Sequence, residues 1–193
     1  MPTWHKDDLV PGRECGDCQV CCIMPSIDKP EIQKVSGAPC RHSLKGGCGI
    51  YESRPDVCRV FFCGWRRLAG VPDGWRPDTS GVFALVEVNE LPQFEFLALA
   101  LILTGNPLKT IRRPDFIDFV IRNVRNNVAL YLMLPGARGD KSARLQLNNA
   151  PIMEAAARSR GDVKTVLELL LKKLQAFPPT PNVMQHSGQD VST

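Results

Sequence analysis

All eight cysteines of this 193-residue chain lie between Cys15 and Cys63, and the two-thirds that follow hold none. They run as CGDCQVCC, which is Cys15, Cys18, Cys21 and Cys22, and then as Cys40, Cys48, Cys58 and Cys63. Two cysteines separated by two residues let one tight turn aim both sulfurs at a single ion, and Zn²⁺ takes four such ligands at about 2.3 Å in a tetrahedron. Cys15, Cys18 and Cys21 repeat that spacing. The chemistry on offer is thiolate coordination of a metal or cluster, with a disulfide framework and a reversible thiol–disulfide pair as competing readings. The opening MPTWHKDDLVPGREC has no apolar run of signal-peptide length, which predicts a cytoplasmic chain whose thiols stay reduced. At 44% hydrophobic residues the chain is also large enough to fold without disulfide staples.

All eight cysteines are therefore expected as metal ligands, enough for two tetrahedral sites. The adjacent Cys21 and Cys22 are expected to point apart, so that they serve different ions or one bridges while the other supports. His42, two residues after Cys40, and His5 are additional nitrogen donors ranked below the thiols, and His186 lies in the tail. The bacterial cluster run C-x2-C-x2-C-x3-C-P is matched through its first three cysteines and then departed from at Cys22. A four-iron cluster on Cys15, Cys18, Cys21 and one distant cysteine stays open. Zinc is the default cofactor, with iron or an iron–sulfur cluster as the alternative.

With CGDCQVCC upstream, the stretch PCRHSLKGGCGIYESRPDVCRVFFCGW resembles the YkgJ-type family, which carries a CxxCxxCC signature and is described as zinc- or iron-chelating. Cys15, Cys18, Cys21 and Cys22 match the signature, followed by Cys40 and Cys48; Ile50, Tyr51, Arg54, Pro55, Cys58 and Arg59 match an IYxxRPxxCR element. The resemblance covers about the first third of the chain and implies metal chelation by these cysteines. Some larger relatives are flagellin lysine-N-methylases, of which the cysteine-rich part is one portion; nothing outside the cysteine module points to that chemistry here.

Between Arg13 and Arg67 there are nine Lys or Arg and six Asp or Glu, a balance of +3. Eight thiolates with two divalent ions add −4, so Arg41, Lys45, Arg54 and Arg59 are candidates to offset and hydrogen-bond the sulfurs. The whole-chain charge of +4 is too mild to argue for nucleic acid. No apolar run spans a bilayer, and an unidentified protein partner is left open. The chain lacks a phosphate loop, an HExxH and a nucleophile elbow, so no catalytic constellation is identified. Glu87, Glu90 and Glu95 read as surface carboxylates.

These sulfurs must be positioned by an α+β fold: an irregular cysteine-rich metal-binding module packed on a small mixed helix and strand portion. The expected organisation is an arm at 1–12, the cysteine module at 13–67, the α+β portion at 68–177 and a disordered tail at 178–193. In the module, proline and glycine predict an irregular loop with one short helix around Lys29 to Lys34, and another helix beginning near Arg54. Trp4, Trp65 and Trp75 are expected to pack the module against the rest. Gly81 to Val88 reads as a strand, and Leu91 to Thr104 as a buried helix with a strand as alternative. Pro114 to Asn126 has helical periodicity with acidic residues first and basic residues last. Val128 to Leu134 and Ala143 to Asn148 read as a strand hairpin. Pro151 to Ser159 and Asp162 to Phe177 read as helices separated at Gly161 and capped by Asp162. The triplet Arg-Pro-Asp occurs at 54–56, 76–78 and 113–115, at intervals too unequal for a structural repeat.

Overall fold

Few apolar residues recur at a regular period between Cys15 and Cys63, and the chain there forms only short pieces. The structure, a computed structural model, describes residues 9–88 and 97–181; the expectations for Trp4, His5, Glu90, Glu95 and His186, and parts of the arm and tail, lie outside the described residues. The cysteine segment contains α1 (Val20–Ile23), β1 (Ile27–Lys29), β2 (Ile32–Lys34), β3 (Ser43–Leu44), β4 (Gly47–Cys48), α2 (Asp56–Arg59) and α3 (Gly64–Arg67). The short helix expected at 29–34 is instead an antiparallel hairpin, with Ile27 opposite Lys34 and Lys29 opposite Ile32. Alternation decides it: Ile32 and Lys34 are buried while Gln33 between them is exposed.

A 3-10 turn at Asp73–Trp75 and helix α4 (Pro77–Ser80) lead into a four-stranded sheet of β5 (Val82–Val88), β6 (Leu97–Leu103), β7 (Ala129–Leu134) and β8 (Ala143–Gln146), in that order. Both β5–β6 and β7–β8 are antiparallel, the latter as expected, whereas β6–β7 is parallel. The parallel step needs a crossover. It is made by α5 (Pro107–Ile111) and α6 (Pro114–Arg125), and after β8 come α7 (Ala150–Arg158) and α8 (Arg160–Gln175). Within the described part of 91–104 the chain is strand, not helix. LALALIL is apolar throughout because β6 lies between β5 and β7, with Ala98 to Leu103 buried. The break between α7 and α8 falls at Ser159, whose hydroxyl accepts the Asp162 backbone N–H, so Ser159 rather than Asp162 is the cap. The start of the expected tail is tied down: Lys141 N–H donates to the Thr180 carbonyl at 2.7 Å.

Helices α6 and α8 pack on the sheet, while α3 and α4 bring the cysteine segment against β5. Trp75 joins these layers. It is 1% exposed, lies 5.5 Å from the Phe116 ring and 4.8 Å from Phe119, and donates its indole N–H to Asp115 at 2.6 Å. The Arg113 guanidinium, at 3.0 and 2.6 Å, and then this indole hold the Asp115 carboxyl down at about 2, against the opposing effect of burial.

A folded-state carboxyl below its ordinary value stabilises the fold above that value and loses the contribution as acid protonates it. Because the Asp115 side chain is 45% exposed, screening reduces its contribution to about 1 kcal/mol. Asp115→Asn is therefore expected to differ from the parent in urea unfolding at neutral pH and to converge with it as pH falls from 3.8 toward about 2. A difference that stays constant over that window would contradict the assignment.

Candidate metal centre

The cysteines arrive from separate pieces of chain. Cys15 and Cys18 sit in the turn before α1, closed by the Cys18 N–H on the Cys15 carbonyl at 2.9 Å, and Cys21 and Cys22 lie within α1 itself. Cys40 is tied to α1 by its N–H on the Cys22 carbonyl at 2.9 Å, Cys48 is on β4, Cys58 is in α2 and Cys63 immediately precedes α3. All eight are free thiols. Cys15, Cys18, Cys21, Cys22, Cys40, Cys48 and Cys58 line one cavity of about 290 Å³, and Cys63 lines a second, smaller one beside it. Thus all eight predicted site residues are gathered around adjoining spaces. Among the described residues, however, no group of three or more His, Cys, Asp or Glu side chains converges closely enough to hold an ion in place.

Burial governs the thiols. It pushes Cys15, Cys58 and Cys63 above the ordinary thiol value and Cys18 up to about 11. The adjacent Cys21 and Cys22 thiols act on each other, which raises Cys21 and lowers Cys22. Lys34 and Arg54 also favour the Cys22 thiolate.

Of the expected cations, only Arg54 both lines the large cavity and acts on its thiols. Arg59 pairs with Asp56 at 2.6 Å, Lys45 borders a shallow depression by Cys48, and Arg41 donates to His42 Nε2 at 3.0 Å. That bond occupies one His42 ring nitrogen, although His42 lines the cavity. Its backbone N–H donates to the Cys40 sulfur at 3.4 Å.

The three Arg-Pro-Asp triplets all open helices but diverge in their pairing. Arg76 and Arg113 each grip the aspartate two residues on through two nitrogens. Arg54 instead lies over the Tyr51 ring, 3.7 Å from its centroid, and donates to the Tyr51 carbonyl at 2.8 Å.

Sequence reasoning missed two supporting residues. Lys34 is 7% exposed, and its ammonium donates to the carbonyls of Ile23 at 2.9 Å and of Pro25. Arg13 is 5% exposed and donates to the Trp65, Leu68 and Val71 carbonyls, with Asp73 at 2.6 Å. Arg13 closes the two ends of the cysteine segment on each other, helped by the Val10 N–H on the Arg66 carbonyl at 2.8 Å. The spacing of Lys34 two residues after Ile32, in a strand, was the available signal for the first; nothing in the sequence marked the second.

No family model, curated protein or solved structure matches the chain. Among the described residues no helix is long and apolar enough to cross a membrane.

Proposed function

We propose that this chain is a metal-chelating protein whose cysteine thiolates are the ligands. One observation carries the reading: sulfurs from five separate pieces of backbone, none joined as disulfides, surround two adjoining cavities in a fold that could have buried them individually. Free buried cysteines ordinarily behave as small hydrophobes among aliphatic side chains. Here they line shared spaces, with Lys34 and Arg54 supplying positive charge. The likeness of CGDCQVCC and IYESRPDVCR to the YkgJ-type family supports the same chemistry.

Zinc is the first cofactor reading and iron or an iron–sulfur cluster the second. A tetrahedral zinc at about 2.3 Å from each sulfur draws those sulfurs to within about 3.8 Å of one another. In a cluster each thiolate holds its own iron, so the sulfurs stand farther apart. Bound there, such a group would supply one-electron chemistry, while Arg54, Lys34 and the His42 N–H would offset or hydrogen-bond the sulfurs. A thiol–disulfide reading has its own support in the adjacent Cys21 and Cys22, which act on each other so that Cys22 is biased toward thiolate.

Full-length protein purified without oxygen distinguishes these chemistries. Colourless protein with stoichiometric zinc is the expected result; iron with inorganic sulfide and visible absorption supports the second metal reading, and metal-free protein with titratable thiols supports the third. Cys18→Ser and Cys58→Ser are each expected to lower metal content and loosen 13–67 while α6, α7 and α8 remain formed. Full metal loading in both variants would remove those residues as ligands.

A further inference from the structure

The two cavities divide the cysteines. The smaller one, about 30 Å³, is lined by Cys15, Cys18, Cys21 and Cys63 and by none of the other four. Cys22, Cys40, Cys48 and Cys58 border the larger space alone, whereas Cys15, Cys18 and Cys21 form the wall between the spaces.

The surroundings of the two groups differ as well. The first shares its cavity with Trp65 of α3, Pro77 of α4 and Phe83 of β5, so this group sits where the cysteine segment meets the sheet. Gly64 permits that closeness: a Cβ there would stand 3.0 Å from the Ala84 Cβ and 3.2 Å from its carbonyl oxygen. The second group is held by α1, the loop at Cys40, β4 and α2, all within the cysteine segment.

We infer that the chain holds two separate four-cysteine sites, Cys15, Cys18, Cys21 and Cys63 at the sheet junction, and Cys22, Cys40, Cys48 and Cys58 at the open cavity. This rests on the metal-chelating reading and adds to it the number of sites and their ligands. Cys21 and Cys22, adjacent in sequence, then belong to different sites. The junction site fastens the module to β5, and the open site is the one a reactant or exchanging ion can reach.

Cobalt(II) titration of the reduced, metal-free, full-length chain under argon tests the division, with the cobalt–thiolate absorption as readout. The parent is expected to take two equivalents, Cys63→Ser and Cys48→Ser one each, and the double variant none. Cobalt remaining in Cys48→Ser is expected to resist a competing chelator longer than that remaining in Cys63→Ser. Should Cys63→Ser fail to fold, Cys15→Ser supplies the same measurement. A parent that binds one equivalent, or single variants that both lose all cobalt or both keep two, would overturn the division and leave chelation intact. A parent without any cobalt–thiolate absorption would instead remove the chelating function itself.

Discussion

Trp75→Ala is expected to lower unfolding stability by about 3–5 kcal/mol, the range for deleting a fully buried large aromatic side chain. Among the described residues the indole is the largest fully buried side chain, and its removal empties the space between Phe116, Phe119 and the turn that precedes α4. It also takes the N–H donor from the Asp115 carboxylate. A single domain commonly has only about 5–15 kcal/mol in total, so the loss should be large enough to shift a urea midpoint plainly. Trp75→Phe keeps most of the apolar contact and should recover more than half. If alanine shifted stability by less than about 1 kcal/mol, the packing described around Trp75 would be wrong.

Arg13→Ala is expected to cost about 3 kcal/mol, by a different route. The Asp73 carboxylate is 91% exposed, so the ion pair itself contributes little. The main loss is at the Trp65, Leu68 and Val71 carbonyls, which give up their guanidinium donor in a place water reaches poorly. Arg13→Lys should not restore it, because one ammonium cannot reproduce the planar spread of donors that meets several carbonyls together. Limited proteolysis should then cut 9–20 or 65–73 before the sheet. Unchanged cleavage and an unchanged urea midpoint in Arg13→Ala would show that these ends are held by other contacts.

Legibility in the sequence followed the length over which a pattern could be read. Helix α6 was evident because Phe116, Val120 and Val124 share one face while Asp115 and Arg125 suit its two ends. β6 was not, since seven consecutive apolar residues carry no period, and only its place between two strands shows why both faces are apolar. The hairpin of β1 and β2 was hidden by Lys34, a residue type seldom buried, whose ammonium is satisfied by carbonyls that come together only after folding. Within the candidate site, the cysteine spacing picked out the eight residues that line the two cavities but not their grouping. Cys63 lies 42 positions beyond Cys21 (63 − 21), so its proximity to that turn depends on how α3 rests against β5.

The Arg-Pro-Asp triplets show how one local exchange alters a distant property. At 76–78 and 113–115 the arginine keeps its own aspartate, although Arg76 also pairs with Asp17, borders the smaller cavity and acts on Cys15. At 54–56 Arg59 has taken the aspartate, which leaves the Arg54 guanidinium stacked on Tyr51 and directed at the thiols. Neither Asp56 nor Arg59 lines the cavity. Arg54 is one of the positive charges acting on Cys15, Cys22 and Cys58, so a change at residue 59 that releases Asp56 is expected to weaken that one contribution without any ligand being exchanged.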